Sequence, residues 1–172
     1  MKKSIVLAFL CFSFLSYGQA FRGKKDMKLQ VGFNMQADGN GIHASIDKGL
    51  AENISVGLAG TYLLSTNNYM GGSKPYAKDL MDIKARFNAH IGDVLGLKPK
   101  MDVYPGLDLS LKNFGGHLGF RWFFSSGFGV YAEAGLPIKH YKNNVVGYAR
   151  FHNQFYTNIG ASFNLKEMSR KL

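Results

Sequence analysis

The chain is poor in four things, and each shortage narrows the field. It has one cysteine, Cys11, close to the N-terminus. A disulfide-stapled scaffold is therefore excluded. It has 4 prolines against 21 glycines, so little interrupts extended backbone. It has 11 acidic residues against 21 Lys plus Arg, a net charge of +10. Beyond the first twenty residues no apolar run approaches the roughly 20 residues of a transmembrane helix. The five histidines (43, 90, 117, 140 and 152) form no HxxxH or HExxH spacing. No metal, cofactor or catalytic set is expected from them.

What is present begins with a leader, MKKSIVLAFLCFSFLSYGQA. Lys2 and Lys3 form a basic start, Ile5 to Leu15 is apolar except for Ser13, and small residues follow at Ser16, Gly18 and Ala20. This is the pattern of a cleaved secretory signal peptide over residues 1–18, with cleavage after Ala20 as the alternative. Leu10 is too large to precede a lipid-attachment cysteine at Cys11. Cleavage after Gly18 removes the cysteine and leaves 154 residues, enough for one domain, with a net charge of +8. In an exported protein this excess suits anionic lipid or surface polysaccharide, not nucleic acid.

After a short arm (residues 19–26) the hydropathy alternates with period two. Met27, Leu29, Val31, Phe33 and Met35 oppose Lys28, Gln30, Gly32, Asn34 and Gln36. Asp38-Gly39-Asn40-Gly41 has turn chemistry. Seven more alternating segments follow: 42–47, 54–62, 81–91, 101–112, 117–124, 128–136 and one closing on Asn158 to Leu165. Gly92 to Lys98, Asn113 to Gly116 and Ser125 to Gly127 read as turns. STNNYMGGSKPYAKD and the stretch from Pro137 to Gly147 read as longer loops on one side. Most segments match the roughly 9–11 residues of a tilted membrane strand. The reading is an all-β, eight-stranded antiparallel up-and-down transmembrane barrel over 27–165, followed by a short tail, 166–172. Pro105 fits its strand badly, because proline cannot donate to a ladder; a bulge or a later strand start is expected there.

Alternation alone does not say which face is inside. The apolar stripes carry no Asp, Glu or Arg, and one Lys, Lys48, near a strand end. A charge facing lipid at the midplane costs roughly 2–4 kcal/mol, so these stripes suit lipid. The opposite stripes carry Asp82, Lys84, Arg86, Asp102, Asp108, Arg121 and Glu133, an expected interior charge network. Trp122, Phe124, Phe128 and Phe163 fall at one rim; Tyr62, Tyr69, Tyr76, Tyr141 and Tyr148 fall at the other. Two aromatic girdles are the expected pattern.

With these features the chain resembles the small eight-stranded outer-membrane barrels of the OmpX and OmpA transmembrane-domain type. The leader's SYGQ ending looks like that of exported Bacteroidota proteins. The last strand resembles the pattern polar-x-Gly-x-x-aromatic-x-hydrophobic through Asn158, Gly160, Phe163 and Leu165. That resemblance implies recognition by the barrel-assembly machinery and residence in the outer membrane. It departs from the pattern in continuing with KEMSRKL after the strand.

A bore of eight strands is filled by side chains, so a general porin is not expected. The expected role is structural or surface-interacting, with outer-membrane lipids as partners. Lys139, His140, Tyr141, Lys142 and Arg150 form a basic, aromatic rim that could anchor the barrel or meet lipopolysaccharide phosphates. Two alternatives stand beside this. One is a rim enzyme acting on lipid, for which His43, Ser45 and Glu133 would have to meet. The other is a soluble, lipocalin-like binder with the apolar stripes lining a cavity for a small hydrophobic ligand.

Overall fold

The computed structural model describes residues 20–66, 76–141 and 152–166; the leader lies outside them. Eight strands follow in order: β1 Met27–Gln36, β2 Gly39–Gly49, β3 Ile54–Thr66, β4 Met81–Ala89, β5 Met101–Ser110, β6 Asn113–Phe123, β7 Phe128–His140 and β8 Tyr156–Asn164. A four-residue helix, α1 Ala77–Leu80, leads into β4. Each strand pairs antiparallel with the next, and β1 pairs with β8 from Lys28↔Asn164 to Gln36↔Tyr156, closing the barrel. Closure leaves no open edge.

The strands run further than turn chemistry suggests. Gly39 to Gly41 belong to β2 and Asn113 to Gly116 to β6, so the connections shrink to residues 37–38 and 111–112. Pro137 to His140 extend β7 rather than open a loop. Two-residue connections place both partner strands in register, and the ladder then absorbs residues that alone would favour turns. The register shifts lie at Asn40/Gly41 and Phe114/Gly115, not at Pro105. β5 starts at Met101, and its ladder to β6 runs through Pro105↔Leu118, whereas its ladder to β4 stops at Asn88↔Gly106. The proline thus sits just where one ladder has ended and no N–H is asked of it.

The ends of β1, β3, β5 and β7 and the starts of β2, β4, β6 and β8 share one end of the barrel, here called the loop end. Residues 50–53, 90–100 and 124–127 share the other, where β1 begins and β8 ends. That terminal end is covered by the arm. Ala20 N–H donates to Pro99 O at 2.7 Å, and the Phe21 ring stacks on His90 at 3.5 Å.

The stripes settle into opposite places. Gln30, Asn34, Asp47, Arg86, Asn88, Asp102, Arg121, Glu133 and Asn158 are buried in the bore. Phe33 (70% exposed), Leu58, Ile83, Leu109, Leu118 and Leu136 cover the outside. The apolar lining required of a lipocalin-like cavity is therefore not what the bore contains among the described residues.

Candidate functional site

The chemistry-bearing residues converge inside the bore because parity turns them inward from all eight strands. Arg86 on β4 is the hub. Its Nη2 lies 2.6 Å from Glu133 Oε2 on β7, and its Nε lies 3.4 Å from Asp47 Oδ1 on β2. Nη2 also lies 2.9 Å from His117 Nε2 on β6. Asp108 accepts a hydrogen bond from the Tyr156 hydroxyl at 2.7 Å and lies 3.1 Å from His117 Nδ1. Glu133 also accepts from Asn158 Nδ2 at 3.2 Å, and Asn158 Oδ1 accepts from Asn34 Nδ2 at 2.7 Å.

A second cluster lies toward the terminal end. Arg121 on β6 meets Asp102 on β5 at 3.2 Å and covers the Tyr104 ring at 4.1 Å. Asp102 also holds His90 Nδ1 at 2.7 Å; His90 Nε2 lies 2.9 Å from Ser55 Oγ. Asn88 donates to that hydroxyl at 3.0 Å, and its Oδ1 lies 2.8 Å from His117 Nε2, joining the two clusters. Beside them Lys28 Nζ pairs with Asp26 at 2.8 Å. Buried ions of this kind are tolerable only when paired and hydrogen-bonded.

Of the seven charged residues expected inside, Arg86, Glu133, Arg121 and Asp102 form two direct ion pairs. Asp108 takes neutral partners and a histidine instead of a cation's head group. Lys84 lies over the Tyr156 ring at 4.3 Å, and Asp82 is buried near the loop end. Asp47, His90, Tyr104 and His117 belong to the network as well, though they were not among the seven. Parity did place them inside.

Inward glycines explain how the bore holds such large groups. Gly119 faces Tyr104 across the β5–β6 ladder, and a Cβ there would lie 2.0 Å from the ring. Gly135 faces Tyr156 across β7–β8, where a Cβ would lie 2.3 Å from the ring. Each large polar side chain thus lies over a partner with none.

A small polar cavity remains toward the loop end, bordered by His43, Thr61, Arg86, Glu133, His152 and Tyr156, with room for about one water. His43 Nε2 and His152 Nε2 have no hydrogen-bond partner among the described residues. Burial, aided by Lys112 and Lys84, pushes the His152 imidazole down to about 3. Lys112, in the 111–112 turn, is lowered by burial against the pull of Asp82. The candidate catalytic residues do not converge. His43 Nδ1 lies 3.0 Å from Thr61 Oγ1, Ser45 donates to Gln30 at 3.0 Å, and Glu133 holds Arg86.

At the loop-end rim, Lys139 and His140 end β7 and Tyr141 follows, all exposed. Lys142, Arg150, Tyr69 and Tyr148 lie outside the described residues. In the last strand Asn158 faces the bore, and Gly160 lies against Gly32 across the closing seam. Leu165 lies just past the end of β8. Phe163 meets Phe128 at 5.5 Å, continuing a row of rings from Trp122 and Phe124 at 4.8 Å. Residues 11–165, which include every strand, match the model of a family of unknown function, DUF6646, and the chain belongs to that family. None of the curated proteins matches it.

Proposed function

We propose that this protein is a small outer-membrane β-barrel of the OmpX/OmpA transmembrane-domain type. On this reading it is exported behind the leader at residues 1–18 and serves a structural or surface-interaction role. The observation that carries the reading is the inversion of the usual soluble arrangement: Arg86, Arg121 and Glu133 are buried, while Phe33, Leu58 and Ile83 face out. Water would charge heavily for that exterior; a hydrocarbon layer favours it. Closure supports it too, because lipid demands that every backbone group be paired within the protein.

A bore holding fully buried Arg121, Tyr104 and Phe123 argues against a general porin. Lys139, His140 and Tyr141 suit contact with lipid head groups, lipopolysaccharide phosphates among them. Asn158, Gly160, Phe163 and Leu165 suit reading by the barrel-assembly machinery. The separate partners of His43, Ser45 and Glu133 weigh against a rim enzyme, and the polar bore weighs against a binder of hydrophobic ligands.

Heat-modifiability in fractionated cells tests the proposal. The expected result is recovery in the outer-membrane fraction, with a gel mobility that changes on boiling. Recovery as a soluble protein with one mobility overturns it.

A further inference from the structure

At the terminal end a cleft of about 430 Å3 opens on the outside of the barrel, between Lys98, Lys100, Met101, Trp122, Phe123 and Phe124. Its floor is fixed by backbone. Met101 pairs with Trp122 in the β5–β6 ladder, and Phe123 N–H donates to Lys100 O at 2.8 Å. Its walls are apolar rings, Trp122 standing edge-on to Phe124 at 4.8 Å, with the indole 43% exposed. Two lysines, Lys98 and Lys100, are among the residues that line it, and no acidic residue is. An apolar slot under paired cations, beside the ring row at a barrel rim, is complementary to one kind of molecule: an amphiphile with an acyl chain and an anionic head.

We infer that this cleft binds a single phospholipid of net negative headgroup. Its phosphate lies between Lys98 and Lys100, and one acyl chain lies along Trp122 and Phe124. The inference rests on the membrane reading above. It goes beyond that reading in assigning a discrete, charge-selective lipid site to the leaflet at the terminal end, where general solvation by the apolar girdle would be indifferent to headgroup.

Trp122 is the only tryptophan of the chain, so its fluorescence reports on this cleft alone. The full chain is folded into phosphatidylcholine vesicles containing a minor fraction of dibrominated lipid, either phosphatidylglycerol or phosphatidylcholine. Bromine quenches the indole only when the brominated chain is adjacent. The expected result is stronger quenching by the brominated phosphatidylglycerol, an enrichment of roughly five-fold or more over random mixing. The doubly substituted Lys98→Ala/Lys100→Ala protein loses the excess, whereas Lys78→Ala, at the loop end, keeps it. Equal quenching by both lipids, or an excess that survives the double substitution, overturns the site and leaves the membrane reading standing. Absence of quenching by either lipid overturns both.

Discussion

The two arginines of the bore are both buried and both paired, yet they are built differently. Arg121 pairs with Asp102, the residue directly opposite it in the β5–β6 ladder. Arg86 reaches from β4 to Glu133 on β7 and toward Asp47 on β2, strands that are not its neighbours. The first contact repeats what backbone hydrogen bonds already enforce. The second joins walls that face each other across the bore and share no ladder. Cross-bore contacts are where side chains, not backbone, decide the shape of a narrow barrel.

Substitutions sharpen this comparison. Arg86→Met strands Glu133 and Asp47 without their cation, and a destabilisation of about 3–5 kcal/mol is expected for a broken buried pair. Urea unfolding in vesicles, followed by tryptophan emission, measures it. Arg121→Met leaves Asp102 still held by His90, so a smaller loss is expected, about 2 kcal/mol, as for a hydrogen bond to a charged group. Equal losses for the two variants would erase the distinction drawn between them.

The loop end supplies a pH test. The His152 imidazole is held neutral far below its unfolded range, down to about 3. Above about pH 6.5 both states are neutral and the full stability is present. As pH falls toward 3 the unfolded chain takes up a proton that the folded chain refuses, so stability declines across that window. By pH 5 the loss should be roughly 1–2 kcal/mol, and His152→Asn should flatten that slope. At the terminal end Phe21→Ala removes the ring stacked on His90. A loss of about 1 kcal/mol is expected, with faster hydrogen exchange at His90.

Much of this was legible in the chain and some was not. Strict parity in KLQVGFNMQ and DIKARFNA placed β1 and β4 and assigned their faces. Parity failed where local chemistry and ladder disagreed. Gly39-Asn40-Gly41 and Asn113 to Gly116 look like turns, but each follows a two-residue connection and pairs along its length. Seven charged residues of the bore could be named from sequence, because each lies on a polar stripe; Asp47 and the Lys28–Asp26 pair were not among them. The partners of the seven could not, because Arg86 and Glu133 meet only once the sheet curls and brings β4 opposite β7. The inward glycines were likewise unreadable: Gly119 answers Tyr104 only after the register of β5 and β6 is known.

The seam between β1 and β8 has a consequence for how the barrel forms. It pairs Lys28 with Asn164, residues of the first and last strands of the barrel. Such separated contacts make for slow folding, because most of the chain must be ordered before they can form. Until β8 arrives, β1 and β7 each keep an unpaired edge, which invites pairing with other chains. Closure of the barrel therefore waits on β8, the last of the eight strands in chain order. The strand that carries Asn158, Gly160 and Phe163 is also the one whose docking ends the hazardous phase of folding.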